Sequence, residues 1–364
     1  MTEDSRLTSL AASLPASVPF VGPEAQERAR NAPFIARLGA NESGFGPSPQ
    51  AVAAMQAAAT DAWKYGDPEC HDLRHALAAH HGIDAAHIMV GEGIDGLLGL
   101  LARLTLTAGD SVVTSAGAYP TFNYHAAGFG AHIHTVPYAG DFEDPDRLIA
   151  KAKETGAKLI YFSNPDNPMG SWHGAVTVAD MITHVPEGSL LVLDEAYSDL
   201  APDTAIPPLD PENPNVIRMR TFSKGYGLAG IRVGYAIGPK PLINAFNKVR
   251  NHFGISRISQ AGALAALQDQ AWLDHVRQEV DAARTRLAGI AIRHKLTPLP
   301  SATNFVTIDC GHDGNHARAL LQGLIERGIF VRMPFVAPQD RCIRVSAGPP
   351  EELDAFERAL SDIL

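Results

Sequence analysis

From residue 87 onward the chain alternates short apolar runs with segments of helical length, and this alternation constrains the fold more than any other feature. The runs are HIMVG, SVVTS, HIHTVPY, KLIYFSNP, LLVLDEAY, NVIRMRTFSK and VGYAIG. Several are apolar at consecutive positions, as strands buried on both faces are. Strands that alternate with helices predict an α/β fold in which helices wrap a mostly parallel sheet.

The pattern changes near residue 240 and indicates three parts. A long helical stretch there precedes NFVTIDC, IFVRMP and CIRVSAG. It predicts a smaller α+β domain over residues 241–364, after a large domain over residues 41–240. Residues 1–40 are rich in Pro and Ala with weak periodicity, so we expect an arm that packs on the small domain or on a partner subunit. Two early helices are predicted in PSPQAVAAMQAAATDAW and ECHDLRHALAAHHG.

The 364 residues carry a net charge of −10. This charge argues against nucleic acid or an anionic membrane as a partner, because both bind clustered Lys and Arg. Cys70, Cys310 and Cys342 lie far apart without metal-ligand spacing, so we expect reduced thiols. The first residues do not resemble a signal peptide, and no stretch approaches the roughly 18 apolar residues of a membrane span. We therefore expect a cytoplasmic protein.

Ligands of such sheets bind at the carboxyl ends of the strands, so the residues just after each run are candidates for chemistry. In TFSKGYGLAGIRVGY, Lys224 follows the hydroxylated residues Thr221 and Ser223, and Arg232 comes later in the same segment. A lysine that carries a phosphorylated cofactor needs a rigid turn, hydroxyls for the phosphate and a permanent cation. The alternative is a surface lysine in a loop.

A second candidate is LLVLDEAYSDL, where Asp194 ends an apolar strand. A carboxylate there is costly unless a cation meets it. A pyridinium nitrogen would be that cation, and a protonated ring is the electron sink that carbanion chemistry needs. Tyr197 is placed to reach the ring hydroxyl. The alternative is a magnesium-binding acidic strand end, but the chain has no GxxxxGK[ST] segment to support it.

Three further motifs are weak when each is taken alone. In YFSNPDNPMG, a sharp turn could point the Asn167 amide at a ring oxygen, although a structural role is equally consistent. In MVGEGIDGLL, Gly93 opens a helix whose free N–H groups suit a phosphate. Tyr119 in AGAYPTF could stack on a planar ring, or could belong to the core or the surface.

These motifs come in one order, each after a strand, and together they resemble the fold type I pyridoxal-phosphate enzymes, the aspartate aminotransferase superfamily, over nearly the whole chain. Within it the chain looks most like the histidinol-phosphate aminotransferase branch. GANESGFGPSP resembles the N-terminal Asn-Glu motif of that branch, and KYGDPECHDLRHALA resembles its Tyr-Pro-Asp-Pro segment.

The resemblance implies pyridoxal phosphate as cofactor and a role for each matching residue. Lys224 would bind the cofactor covalently and Asp194 would pair with the pyridine nitrogen. Tyr197 and Asn167 would contact the ring oxygen, and Tyr119 would stack on the ring. Residues implied to hold the cofactor phosphate are Thr221, Ser223 and Arg232, the backbone at Gly93 and Ile94, and Tyr65 of the neighbouring subunit of a homodimer.

The resemblance also implies substrate contacts from Asn41, Asn304, Arg332 and Arg344. Two guanidinium groups suit a phosphate or a carboxylate. The chain departs from the pattern at three positions. Ile94 replaces a common Ser at the phosphate, Phe20 replaces a Tyr that contacts the substrate phosphate, and Met169 replaces the usual Thr.

By this resemblance we expect an aminotransferase that moves an amino group from histidinol phosphate, an aromatic amino acid or a related compound to a keto acid such as 2-oxoglutarate. A decarboxylase of the same fold, resembling threonine-phosphate decarboxylase, is the main alternative. A non-catalytic regulator is disfavoured, because the aminotransferase-like pattern leaves no room for a DNA-binding domain. A nucleotide-binding protein is disfavoured because GEGIDG lacks the third Gly of GxGxxG.

Overall fold

The computed structural model describes residues 6–16 and 21–364, and its elements are numbered here in chain order. The strands are β1 (Ala36–Arg37), β2 (Ile88–Gly91), β3 (Ser111–Ser115), β4 (His132–Val136), β5 (Leu159–Ser163), β6 (Leu190–Asp194), β7 (Val216–Thr221), β8 (Gly234–Ile237), β9 (Thr297–Pro298), β10 (Phe305–Asp309), β11 (Ile329–Phe330) and β12 (Cys342–Ser346). The α-helices are α1 (Ser9–Ser13), α2 (Pro23–Arg30), α3 (Pro49–Ala59), α4 (His71–His81), α5 (Gly93–Thr105), α6 (Thr121–Gly128), α7 (Pro145–Thr155), α8 (Ala175–Thr183), α9 (Lys240–Ala245), α10 (Arg257–Gln268), α11 (Gln270–Arg293), α12 (Gly314–Glu326) and α13 (Pro350–Ser361).

Strands β2 to β8 form one seven-stranded sheet in the order β2-β8-β7-β6-β5-β3-β4. The neighbours from β4 through β3, β5 and β6 to β7 are parallel, whereas β8 runs antiparallel to both β7 and β2. Each apolar run singled out in the sequence forms a strand of this sheet. The prediction of an α/β fold with a mostly parallel sheet is therefore confirmed.

Consecutive side chains of the central strands pack against opposite helical layers, which explains why their sequences are apolar without interruption. In β6, Leu191 and Leu193 share an apolar cluster with α7 and α8. Val192 packs in another cluster, with α5 and α6. Because side chains alternate along a strand, Asp194 lies on the same face as Val192 and points toward the α5 side of the sheet.

The C-terminal part has its own antiparallel sheet, in the order β12-β10-β9, and α11, α12 and α13 share one apolar cluster with it. The arm joins this part through β1, which pairs in parallel with β11 at Ala36 and Ile329. Helix α10 instead packs with the large sheet, since Ala263 and Ala266 share a cluster with Ile88 of β2. No helix in the described ranges is both long enough and apolar enough to cross a membrane.

Candidate active site

A cavity of about 550 Å³ opens at the carboxyl ends of the parallel strands, where β12 of the C-terminal part also contributes to its wall. This is the edge at which α/β sheets bind ligands. The cavity wall brings together most of the residues that the sequence singles out: Asn41, Ile94, Tyr119, Asn167, Asp194, Tyr197, Thr221, Ser223, Lys224, Arg232, Arg332 and Arg344.

The floor of the cavity carries the buried carboxylate of Asp194. Its Oδ2 accepts a hydrogen bond from the Tyr161 hydroxyl at 2.6 Å, and its Oδ1 accepts one from the Ala196 backbone N–H at 2.9 Å. Burial raises the pKa of the Asp194 carboxyl group, whereas the two hydrogen bonds and the charge of Lys224 act in the opposite direction. Within the described residues no cation lies at ion-pair distance, so a protonated ring nitrogen would supply the missing charge.

Lys224 lies in the turn after β7 with its amine inside the cavity. Its Nζ donates to the Asn41 carbonyl oxygen at 2.9 Å and lies 5.6 Å from the centroid of the Tyr197 ring. Burial, together with the positive charges of Arg344 and Arg232, lowers the pKa of Lys224 to about 8. A neutral fraction near this pH lets the amine act as a nucleophile or as a proton acceptor.

Two hydroxyls, one guanidinium and a helix N-terminus converge on one end of the cavity. Thr221 Oγ1 donates to Ser223 Oγ at 2.9 Å, and Arg232 Nη1 donates to the same Ser223 oxygen at 3.2 Å. Helix α5 begins at Gly93, where an added Cβ would lie 2.5 Å from Arg232 Nη2, so the guanidinium packs directly over this residue. Ile94 lines the cavity here without a hydroxyl. Such a combination of donors suits a phosphate.

The Tyr197 hydroxyl is the centre of an amide network at the opposite side of the cavity. It accepts from Asn41 Nδ2 at 2.9 Å and from Asn167 Nδ2 at 3.4 Å. Burial raises the pKa of Tyr197, so the hydroxyl keeps its proton. Because both amides occupy its acceptor side, the hydroxyl is free to donate to an oxygen of a bound ring.

Two arginines face the cavity from the C-terminal part. Arg344 Nη1 donates to Asn167 Oδ1 and Nη2 donates to the Gly39 carbonyl oxygen at 3.1 Å, whereas its buried Nε has no hydrogen-bond partner among the described residues. Arg332 Nη2 donates to the Val21 carbonyl oxygen at 2.6 Å. Burial lowers the pKa of both arginines. In the ranges that the structure covers neither has a carboxylate at ion-pair distance, so they suit an anionic substrate.

Three residues singled out in the sequence lie outside the cavity wall. Gly93 lies behind the guanidinium that packs on it. Asn304 is buried, and its Nδ2 donates to the Asn41 carbonyl oxygen at 3.0 Å, so it supports the loop that faces the cavity. Tyr65 is 77% exposed on the surface. Phe20, where the branch has a Tyr, lies outside the described residues.

Two features that hold the site together were not predicted from the sequence. Tyr161 lies inside an apolar run and reaches Asp194. Its own hydroxyl among the apolar residues was the available signal. Glu195, directly after Asp194, is buried and accepts from Arg218 at 2.6 Å and from Arg220 at 2.8 Å. Arginines at alternate positions of the next strand run were the available sign of this ion-pair cluster. No group of three or more His, Cys, Asp or Glu side chains in the described ranges is placed to hold a metal ion.

Comparison with known proteins finds relatives along nearly the whole chain. Residues 35–360 match the family model described as aminotransferase class I and II. Histidinol-phosphate aminotransferase 1 of Mesorhizobium japonicum is 36% identical over 336 residues, which are 91% of this chain and 90% of that protein. Histidinol-phosphate aminotransferase 2 of Pseudomonas aeruginosa is 34% identical over 333 residues, 91% of this chain and 89% of that protein.

Two solved structures are similar to the chain. The crystal structure of histidinol-phosphate aminotransferase from Sinorhizobium meliloti in complex with pyridoxal-5'-phosphate is 53% identical, with a TM-score of 0.96 over 99% of this chain and 97% of that chain. A double mutant of Thermus thermophilus aspartate aminotransferase, 22% identical, shares the fold with a TM-score of 0.80 over 97% of this chain and 99% of that chain. These relatives confirm the fold type I prediction, and none of them is a decarboxylase. The chain belongs to the class I and II aminotransferase family.

Proposed function

We propose that the cavity binds pyridoxal phosphate and catalyses transamination, with Lys224 as the residue that holds the cofactor covalently. The observation that carries this proposal is the position of the Lys224 amine, which shares one cavity with the Asp194 carboxylate and the Ser223–Arg232 anion site. When bound, pyridoxal phosphate supplies an electron sink for the electron pair left when the α-carbon of the donor loses a proton.

Each end of the cavity offers the contact that one part of the cofactor needs. Thr221, Ser223 and Arg232, with the N-terminus of α5 at Gly93 and Ile94, hold the phosphate. The Asp194 carboxylate would pair with the ring nitrogen and keep it protonated. Residues that contact the ring oxygen are Tyr197 and Asn167, and Tyr119 covers the ring face.

Lys224 also moves the proton. Its amine has a pKa of about 8. It accepts the α-proton of the donor at Nζ and donates that proton again as the product forms. Tyr197 holds its own proton toward the ring oxygen. The same residues then act in reverse order on a keto acid, for which we propose 2-oxoglutarate.

We propose an amino donor with a second anionic group, histidinol phosphate first and aromatic or related amino acids next. Arg344 and Arg332 support this choice of donor. Both guanidinium groups are partly buried in the cavity wall and have no carboxylate partner among the described residues, which favours a phosphate or a carboxylate. Asn41 and Asn304 shape the loop beside them. Three of the named relatives are histidinol-phosphate aminotransferases. Because Phe20 departs from the pattern of that branch, the donors have to be compared directly.

The test is a donor screen with the purified holoenzyme. Histidinol phosphate, phenylalanine, tyrosine and histidine are each supplied with 2-oxoglutarate, and glutamate formation is measured together with carbon dioxide release. We expect glutamate formation that depends on the donor, is fastest with histidinol phosphate and disappears in Lys224→Ala. Carbon dioxide release without need of a keto acid would instead support the decarboxylase, and no glutamate with any donor would refute the proposal.

We also propose a homodimer in which Tyr65 reaches the cofactor phosphate of the partner subunit. Its support is an exposed aromatic patch formed by Tyr65, Phe253 and Trp63, whose exposed fractions are 77%, 51% and 81%. The Tyr65 and Phe253 rings pack at 4.7 Å between centroids. Sedimentation analysis is expected to give twice the monomer mass, and a monomer with full activity would contradict the proposal.

The three-part division of the chain and its compartment are proposals as well. Residues 1–40, 41–240 and 241–364 form the arm, the large domain and the small domain, with α10 contributing to the large-domain core by packing. Limited proteolysis of the holoenzyme tests these boundaries. The cytoplasm is proposed as the compartment because Cys70, Cys310 and Cys342 are free and buried.

A further inference from the structure

We infer that Tyr161 is a positioning residue, which holds the Asp194 carboxylate ionised and oriented toward the ring nitrogen of the cofactor. The inference rests on the proposed function, because it assigns Tyr161 a role through the Asp194 contact. Neither the sequence motifs nor the family match assigns a role to this hydroxyl.

The register of the sheet brings the two side chains together. Tyr161 of β5 is paired with Val192 of β6, so Asp194 is the next residue of β6 on the same face. The Tyr161 hydroxyl donates to Asp194 Oδ2 at 2.6 Å. This is the short distance of a hydrogen bond between a hydroxyl and a charged carboxylate.

Tyr161 has little freedom to do anything else. Its side chain is fully buried, and its ring stacks on Phe122 with 4.9 Å between centroids and an interplanar angle of 15°. Burial also raises the pKa of Tyr161 well above its ordinary value, so the hydroxyl remains a donor. The ring nevertheless contributes to the cavity wall, and this places the donor within the site and not behind it.

The Asp194 carboxylate needs such a donor. The titratable groups that act on it are Tyr161 from β5, Glu195 and Tyr197 from its own segment, and Lys224 after β7. Burial and the negative charge of Glu195 favour the neutral carboxyl group, whereas Tyr161 and Lys224 favour the carboxylate. Lys224 loses its free ammonium when it carries a cofactor, and its charge then no longer favours the carboxylate. Among the described residues, the Tyr161 hydroxyl and the Ala196 N–H still donate hydrogen bonds to it.

Tyr161→Phe removes the hydroxyl and keeps the ring that stacks on Phe122. A hydrogen bond to a charged group supports an effect of roughly tenfold to a hundredfold on an equilibrium. We expect cofactor affinity to fall by that factor. Because loss of the donor raises the pKa of Asp194, the acid limb of the pH profile of kcat/KM is expected to move to higher pH.

The decisive readout is a ratio of dissociation constants measured on cofactor-free protein. The two ligands are pyridoxal phosphate and an analogue that has carbon in place of the ring nitrogen. The dissociation constant of each is measured for the unaltered protein and for Tyr161→Phe, Asp194→Asn and Tyr138→Phe. Tyr138 is the matched control, because its hydroxyl donates to another buried carboxylate, that of Asp166, at 3.0 Å. A general loss of stability changes both dissociation constants and leaves their ratio intact.

The expected result is a strong preference for the ring nitrogen in the unaltered protein and in Tyr138→Phe, which is reduced in both Tyr161→Phe and Asp194→Asn. If Asp194→Asn loses the preference and Tyr161→Phe keeps it with an unshifted pH profile, the role of Tyr161 is overturned while the proposed function stands. If Asp194→Asn also keeps the preference, the Asp194 contact itself is wrong and the inference falls with it.

Discussion

Substitution of Gly93 by Ala perturbs the proposed phosphate site from behind, because the added methyl group would press on the Arg232 guanidinium. Gly93 has a φ of +75°, and an added Cβ would lie 2.5 Å from Arg232 Nη2. Carbon and nitrogen atoms pack without strain at about 3.5 Å. The guanidinium must therefore move by roughly 1 Å. This movement disturbs the hydrogen bonds that its Nη1 donates to Ser223 Oγ and to the Ala229 carbonyl oxygen.

Two separate costs follow from this geometry. A left-handed backbone at a residue with a Cβ costs about 1–2 kcal/mol of folding stability. Displacement of the guanidinium removes a charge-assisted hydrogen bond to the phosphate, worth about 1.5–3 kcal/mol. The dissociation constant of pyridoxal phosphate is therefore expected to rise roughly 10- to 100-fold.

Gly82→Ala is the matched control, because Gly82 has a φ of +65° and no atom within 4 Å of an added Cβ. Thermal unfolding is expected to show a similar loss of stability in both variants. Titration of cofactor-free protein with pyridoxal phosphate, followed by absorbance, is expected to show weaker binding in Gly93→Ala alone. Unchanged affinity in Gly93→Ala, or equal weakening in Gly82→Ala, would refute the placement of the phosphate beside Arg232.

Three further predictions concern Lys224, Glu195 and Arg344. The rate at which cofactor-free protein takes up pyridoxal phosphate should rise with pH through about 8, since only the neutral Lys224 amine reacts; a midpoint near 10.5 would contradict the effect of burial. Glu195→Gln should lower the free energy of unfolding by about 3–5 kcal/mol in urea titrations, because Arg218 and Arg220 lose their buried anion; a loss below about 1 kcal/mol would count against the cluster. Arg344→Gln should lower kcat/KM roughly tenfold or more with the cofactor still bound, and a loss of cofactor binding would contradict a role in substrate binding.

The large sheet could be predicted from the sequence because its strands are buried on both faces and therefore uninterrupted in apolar character. Lys224 and Asp194 were found for a related reason, since polar residues directly after such strands meet at one edge of the sheet. The predicted arm was harder to place, because the pairing of Ala36 with Ile329 joins segments distant in sequence.

Other contacts depend on register and on packing that a linear pattern does not carry. Tyr161 reaches Asp194 only because β5 and β6 pair with Tyr161 opposite Val192. Helix α10 comes after the change of pattern near residue 240, which assigns it to the small domain, yet it packs beside β2 of the large sheet. Periodicity alone could not show which of the two apolar cores it joins. Asn304 matched a family position, but the hydrogen bond to the Asn41 carbonyl oxygen became visible only in the folded chain.

The central claim is that Lys224 carries the cofactor, and borohydride reduction of the holoenzyme followed by peptide mass spectrometry tests it most directly. Reduction fixes pyridoxal phosphate to the lysine that holds it. The expected result is a phosphopyridoxyl group on Lys224 and on no other lysine, and its absence in Lys224→Ala. A label on a different lysine, or none in a protein that contains the cofactor, would contradict the account.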